Sequence, residues 1–98
     1  MTIEKILNGE AATLVVAGRL DTQTAPELEK ELDGVISGLK ELTFNMAKLE
    51  YVSSAGLRVI LKAQKIMNTQ GSMKLTGVSD SIMEVFDITG FLDILTIE

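Results

Sequence analysis

The chain contains no cysteine, no histidine and no tryptophan, and only one proline, one tyrosine and three phenylalanines among its 98 residues. Without cysteine no disulfide can form. Without cysteine and histidine the common ligand sets of zinc, iron–sulfur and haem centres are missing, as is any Cys–His or Ser–His–Asp catalytic constellation. An enzyme built on this chain would have to work with carboxylates, lysine or tyrosine. Neither a G-x-x-x-x-G-K loop nor a G-x-G-x-x-G turn occurs, so nothing in the sequence cradles a nucleotide phosphate and no cofactor or metal is expected. No apolar run approaches the roughly 18–20 residues of a membrane span. The opening Met-Thr-Ile-Glu-Lys lacks the basic flank and apolar stretch of a secretory signal. A cytoplasmic protein with no membrane insertion is the expectation. Basic residues are also short, nine against 14 acidic ones for a net charge of −5, a balance that repels phosphate backbones and argues against nucleic acid as a partner.

What remains is a core-forming composition, 46% apolar and 23% charged, which fits one domain over residues 1–98 and excludes collagen-like or charge-driven disordered chains. No internal repeat, proline-rich linker or charge block divides it. A chain of this size buries roughly 60–70% of its unfolded surface, enough for a core that needs no metal or bridge.

The elements are short and alternate in type. Ile3–Leu7 and Ala12–Ala17 read as strands, and the Asn8-Gly9-Glu10 turn between them makes them an antiparallel hairpin. Leu28, Leu32, Val35, Ile36 and Leu39 recur at helical spacing, predicting a helix that starts at a Thr24-Ala25-Pro26-Glu27 capping box and closes at Ser37-Gly38. Leu42, Phe44 and Met46 alternate with Thr43 and Asn45 as a third strand, followed by a loop at Ala47 to Val52. A second helix is expected over about Ser54 to Asn68, apolar except for a stripe of Arg58, Lys62, Lys65 and Thr69. Met73, Leu75 and Gly77 give a fourth strand. A third helix, carrying Ile82, Val85 and Phe86, begins near Ser79 or Ser81 with a Ser81–Glu84 capping box and ends near Gly90. Ile94–Ile97 closes the chain as a short strand. The five methionines read as gap-filling core.

The order β-β-α-β-α-β-α-β predicts an α/β domain with a mixed, mostly parallel sheet, opened by an antiparallel hairpin and covered by packed helices, because strand-helix-strand units of this length force parallel neighbours. Loops after parallel strands gather at one sheet edge, where sites form. Two qualify: Gly18-Arg19-Leu20-Asp21-Thr22 and Tyr51-Val52-Ser53-Ser54-Ala55-Gly56. This topology brings Asp21 and the serine pair together.

Two readings of Ser53 and Ser54 stand side by side. Either hydroxyl could cap the free N–H groups of the second helix. Yet two adjacent serines exceed what a cap needs, and Ala55-Gly56 leaves the helix start without bulky cover, as a modification site approached by a second protein would require. A phosphate there would meet the positive end of the helix dipole. Asp21 reads equally as a turn residue ahead of the first helix. Charged stripes such as Arg58, Lys62 and Lys65 are usually solvated faces, and Arg58 is the functional choice among them because it lies nearest the serines.

Three segments, Gly18-Arg19-Leu20-Asp21, Leu49 through Leu61, and Val85-Phe86-Asp87-Ile88-Thr89-Gly90-Phe91, resemble the signatures of the STAS domain, specifically of bacterial anti-sigma factor antagonists. The resemblance covers nearly the whole chain and implies a phosphorylation-controlled binding protein rather than an enzyme. In that scheme the unphosphorylated antagonist binds an anti-sigma factor that is itself a serine kinase and so frees a sigma factor, regulating transcription. Phosphorylation releases the partner and a serine phosphatase resets the switch. By resemblance the modified residue is Ser54 and Asp21 matches the family's first-loop aspartate; with the neighbouring residues of the two loops, the expected partner-binding set is Asp21, Thr22, Ser53, Ser54, Ala55, Gly56 and Arg58. Many relatives have an aspartate where this chain has Ser53, so Ser53 stays open as the alternative site. Many also add a further helix beyond the position of Glu98. A second implication of the resemblance is a constitutive scaffold, a STAS subunit of a stress-signalling or lipid-transport complex in which the serines only cap a helix.

Overall fold

The computed structural model describes residues 1–98. Strands β1 (Thr2–Asn8) and β2 (Ala11–Leu20) form the antiparallel hairpin, turned at Gly9 with φ +61°. Strand β3 (Glu41–Val52) lies parallel to β2, and β4 (Ser72–Thr76) parallel to β3, giving the order β1-β2-β3-β4. Alternation decides which face is core. Ala12, Leu42 and Met73 form one cross-strand row and Leu14, Phe44 and Leu75 the next, all buried, whereas Thr13, Thr43 and Lys74 occupy the opposite face.

Helices α1 (Ala25–Asp33) and α2 (Ser54–Gln70) set Leu28, Leu32, Ile60, Ala63 and Met67 into this core, and α3 (Asp80–Ile88) adds Ile82 and Phe86. Lys62 of α2 donates to both Glu29 and Asp33 of α1 at 3.1 Å, and these hydrogen bonds, the one to Glu29 first, raise its pKa above the ordinary lysine value. The stripe of Arg58, Lys65 and Thr69 beside it is exposed, as the sequence pattern predicts. No helix is long and apolar enough to cross a membrane.

The expected mixed sheet and its helices are found, with four local corrections. Residues 47–52 are not a loop: β3 keeps pairing with β2 through two register shifts, at Val15/Ala17 and Gly18/Arg19, each giving β3 one extra residue. Beyond Met46 the buried positions therefore fall every third residue, at Leu49 and Val52, which hides the strand from a search for alternation. The first helix stops at Gly34 rather than Ser37-Gly38, and Ile36 and Leu39 reach the core from turns. The final strand reduces to one parallel bridge between Leu75 and Ile97, because a 3₁₀ turn over Phe91–Asp93 takes up the residues before it. Neither expected capping box forms. Ser79 caps α3 by accepting from the Ile82 N–H at 3.4 Å, and the start of α1 is capped one turn earlier than expected, as described below.

Leu28→Ala, at a fully buried site, should cost about 2–5 kcal/mol, whereas Ile6→Ala on the exposed edge strand should stay within about 0.5 kcal/mol of wild type. Urea unfolding midpoints of the two variants check this partition.

Candidate functional site

The parallel register places Leu20, the last residue of β2, opposite Val52, the last of β3, and the Ser53 N–H extends the pairing by donating to the Leu20 carbonyl at 2.8 Å. The loop holding Asp21 and the start of α2 therefore leave the same sheet edge as immediate neighbours. Gly56 makes the closeness achievable. A Cβ there would stand 2.5 Å from Leu20 Cγ and 3.1 Å from Val52 Cγ2, so only glycine lets the first turn of α2 press onto the end of β2. Gly56 is buried and its bare side faces the core; it shapes the site from beneath instead of leaving its surface open.

Asp21 and Thr24 hold their loop by reciprocal bonds. Asp21 Oδ1 accepts from the backbone N–H groups of Gln23 at 3.0 Å and Thr24 at 3.1 Å, and Thr24 Oγ1 accepts from the Asp21 N–H at 2.8 Å. The Thr24 hydroxyl proton goes to the Arg19 carbonyl at 2.7 Å. This is capping-box chemistry displaced one turn toward the N-terminus, and the first helical bond, Ala25 N–H to Asp21 carbonyl, is 2.8 Å. The Thr24 N–H, helped by the Gln23 N–H and by Arg19, outweighs desolvation and holds the Asp21 carboxyl below the ordinary value of 3.8. Asp21 Oδ2 is left facing Arg19 Nε at 3.8 Å.

The serines differ sharply. Ser53 occupies the N-cap position of α2 yet makes no capping bond, and its Oγ is shut away from solvent with no hydrogen-bond partner. Ser54 is exposed. The cap reading therefore fails for Ser53, the residue placed to cap. Thr22 and Arg58 are exposed beside the serines, Asp21 and Ala55 half-buried. Thr22, Pro26, Ala55 and Arg58 line a cleft of about 230 Å³ between the first turns of α1 and α2. Arg19 and Tyr51 were not singled out from the sequence: the guanidinium lies 4.3 Å from the ring centroid, and Tyr51 is 41% exposed. They stand 32 positions apart and become partners only through the second register shift, so no local signal pairs them.

The family model for the STAS domain matches residues 2–98. The chain belongs to the STAS domain family. The anti-sigma-B factor antagonist of Staphylococcus epidermidis is 33% identical over 97 residues, covering 97% of this chain and 90% of that protein. Among solved structures, an anti-sigma factor antagonist from Mycobacterium paratuberculosis superposes with a TM-score of 0.88 at 18% identity, over 98% of this chain and 83% of that one. The Bacillus cell fate determinant SpoIIAA in its phosphorylated form gives 0.77 at 16% identity, over 99% and 91%. At such identities the two structures speak for the fold alone. The STAS fold is the expected mixed sheet.

Two expectations follow for this STAS domain. Gly56→Ala should destabilise it by about 1–3 kcal/mol, and should cost less on a Leu20→Ala background; a double-mutant cycle in urea measures that coupling. Because Asp21 has a depressed pKa in the folded state, its stabilising contribution is complete above the ordinary carboxylate value and is lost as pH falls through the lower, folded one. A carbon-13 carboxyl titration should place Asp21 below the ordinary aspartate value, and Asp21→Asn should flatten the acid limb of the stability profile.

Proposed function

We propose that this STAS domain is an anti-sigma factor antagonist working as a phosphorylation-controlled binding switch, with Ser54 as its modified residue. Unphosphorylated, it binds an anti-sigma factor through the edge formed by Asp21, Thr22, Ser54 and Arg58, and a sigma factor is released. That anti-sigma factor is also a serine kinase. The Ser54 Oγ attacks the γ-phosphorus of ATP held by the kinase, its proton passes to a base there, and the bond to ADP breaks. A serine phosphatase hydrolyses the ester and restores the binding form. The domain itself supplies a substrate hydroxyl and a surface, not catalysis.

One observation carries the choice of residue: of two adjacent serines at the start of α2, Ser54 is exposed while the Ser53 Oγ is enclosed. A kinase must reach the hydroxyl oxygen, and only Ser54 offers it. The kinship with anti-sigma-B factor antagonists over 97% of the chain supports the partner class. The constitutive-scaffold reading needs the serines to serve as caps, and the uncapped start of α2 withdraws that support.

Phosphorylation adds roughly −1.5 to −2 charge next to the positive end of α2, which the fold tolerates. A docked partner would have to desolvate that charge, and each ~1.4 kcal/mol of penalty weakens binding tenfold. Ser54→Ala should fold, bind the anti-sigma factor and take up no phosphate. Ser53→Ala should be labelled like wild type, and Ser54→Asp should bind more weakly with unchanged circular dichroism. Incubation with the cognate kinase and ATP, peptide mass mapping and calorimetry read all three; full labelling of Ser54→Ala would refute the assignment.

A further inference from the structure

Charge is distributed very unevenly along the chain. Residues 1–74 hold nine acidic and nine basic side chains, whereas residues 75–98 hold Asp80, Glu84, Asp87, Asp93 and Glu98 and no lysine or arginine. The entire net charge of −5 thus sits in the last quarter of the sequence. The same stretch carries three of the six exposed large apolar side chains: Ile88 at 84%, Leu92 at 37% and Ile94 at 47%.

Packing explains why they are outside. The inward stripe of α3 is Ile82 and Phe86, four residues apart, and Ile88 falls off it, one turn beyond Glu84 on the outer side. Gly90, at φ +80°, follows the helix end, and the 3₁₀ turn that carries Leu92 packs against α3, with Ile94 directly after it. Single exposed apolar residues are ordinary; three within seven positions, in the same short stretch as the exposed Glu84, Asp87 and Asp93, are the mark of an interaction surface.

The chemistry selects the occupant. Glu98 is paired with Lys74 at 3.7 Å, and the four remaining carboxylates, Asp80, Glu84, Asp87 and Asp93, have no basic partner and repel anionic lipid and nucleic acid. A second copy carries the same net charge of −5, which opposes self-association through this face. We propose that the α3–3₁₀ face is a second docking surface, separate from the Ser54 edge, for a lysine- or arginine-rich amphipathic segment of another protein. Its apolar side covers Ile88, Leu92 and Ile94 while its cations meet these carboxylates, giving an association that is fast and salt-dependent.

The full chain can be titrated with a fluorescent leucine–lysine amphipathic peptide of about 18 residues, against a leucine–glutamate peptide of the same pattern. Binding of the lysine peptide should weaken about tenfold or more between about 50 and 300 mM salt. It should weaken about tenfold in Ile88→Ser and in the triple variant Glu84→Gln, Asp87→Asn, Asp93→Asn, and stay unchanged in Ser54→Asp, with amide shifts confined to residues 84–94. These substitutions are all at exposed positions, so the variants stay folded. Equal affinity for the glutamate peptide, unaltered binding by the variants, or shifts centred on α2 would overturn the proposal. So would concentration-dependent sedimentation abolished by Ile88→Ser, which would put a second copy on this face.

Discussion

The contact on which the rest depends is the approach of α2 to the end of β2, fixed by the Ser53 N–H on the Leu20 carbonyl and by Gly56 lying against the Leu20 side chain. One hydrogen bond and one missing Cβ bring together two loops that are separated by more than thirty residues of sequence. Because Leu20 and Val52 are themselves buried, the site inherits its geometry from the core. The loop between β2 and α1 adds its own stiffness through the reciprocal Asp21–Thr24 bonds. An edge held this way is ordered by the fold itself, which limits the ordering entropy that any binding there must overcome.

Much of this was legible in the sequence because it rests on local rules. Alternation in Leu42, Phe44 and Met46, the Asn8-Gly9 turn and the helical spacing of Leu28 and Leu32 each act within a few residues, and each predicted the element found. The topology then placed Asp21 beside the serines. What stayed hidden is non-local. The bulged half of β3 follows a three-residue burial rhythm that only pairing with β2 creates, the Arg19–Tyr51 stack depends on that register, and the turn at Phe91–Asp93 left the final strand only one bridge. The caps fell between these cases. Residue types suited to capping were recognised, but Thr24 turned out to accept from Asp21 rather than serve the helix ahead of it, a choice decided by where β2 ends.

Gly56 matters for close packing beneath the site and not for an open surface above it. Its lack of a side chain suggested an uncovered surface, yet the space it vacates lies inward and is filled by Leu20. The surface of the candidate site is built instead from the exposed Thr22, Ser54 and Arg58.

The two register shifts in β3 have an evolutionary consequence. Between the anchors Met46, Leu49 and Val52, the four positions Ala47, Lys48, Glu50 and Tyr51 face outward, in a strand that leads directly to the serines. They can diverge without touching the core. A cell that runs several such switches side by side needs each one to ignore its neighbours' partners, and this stretch is a place where duplicated copies could acquire separate addresses while keeping one fold.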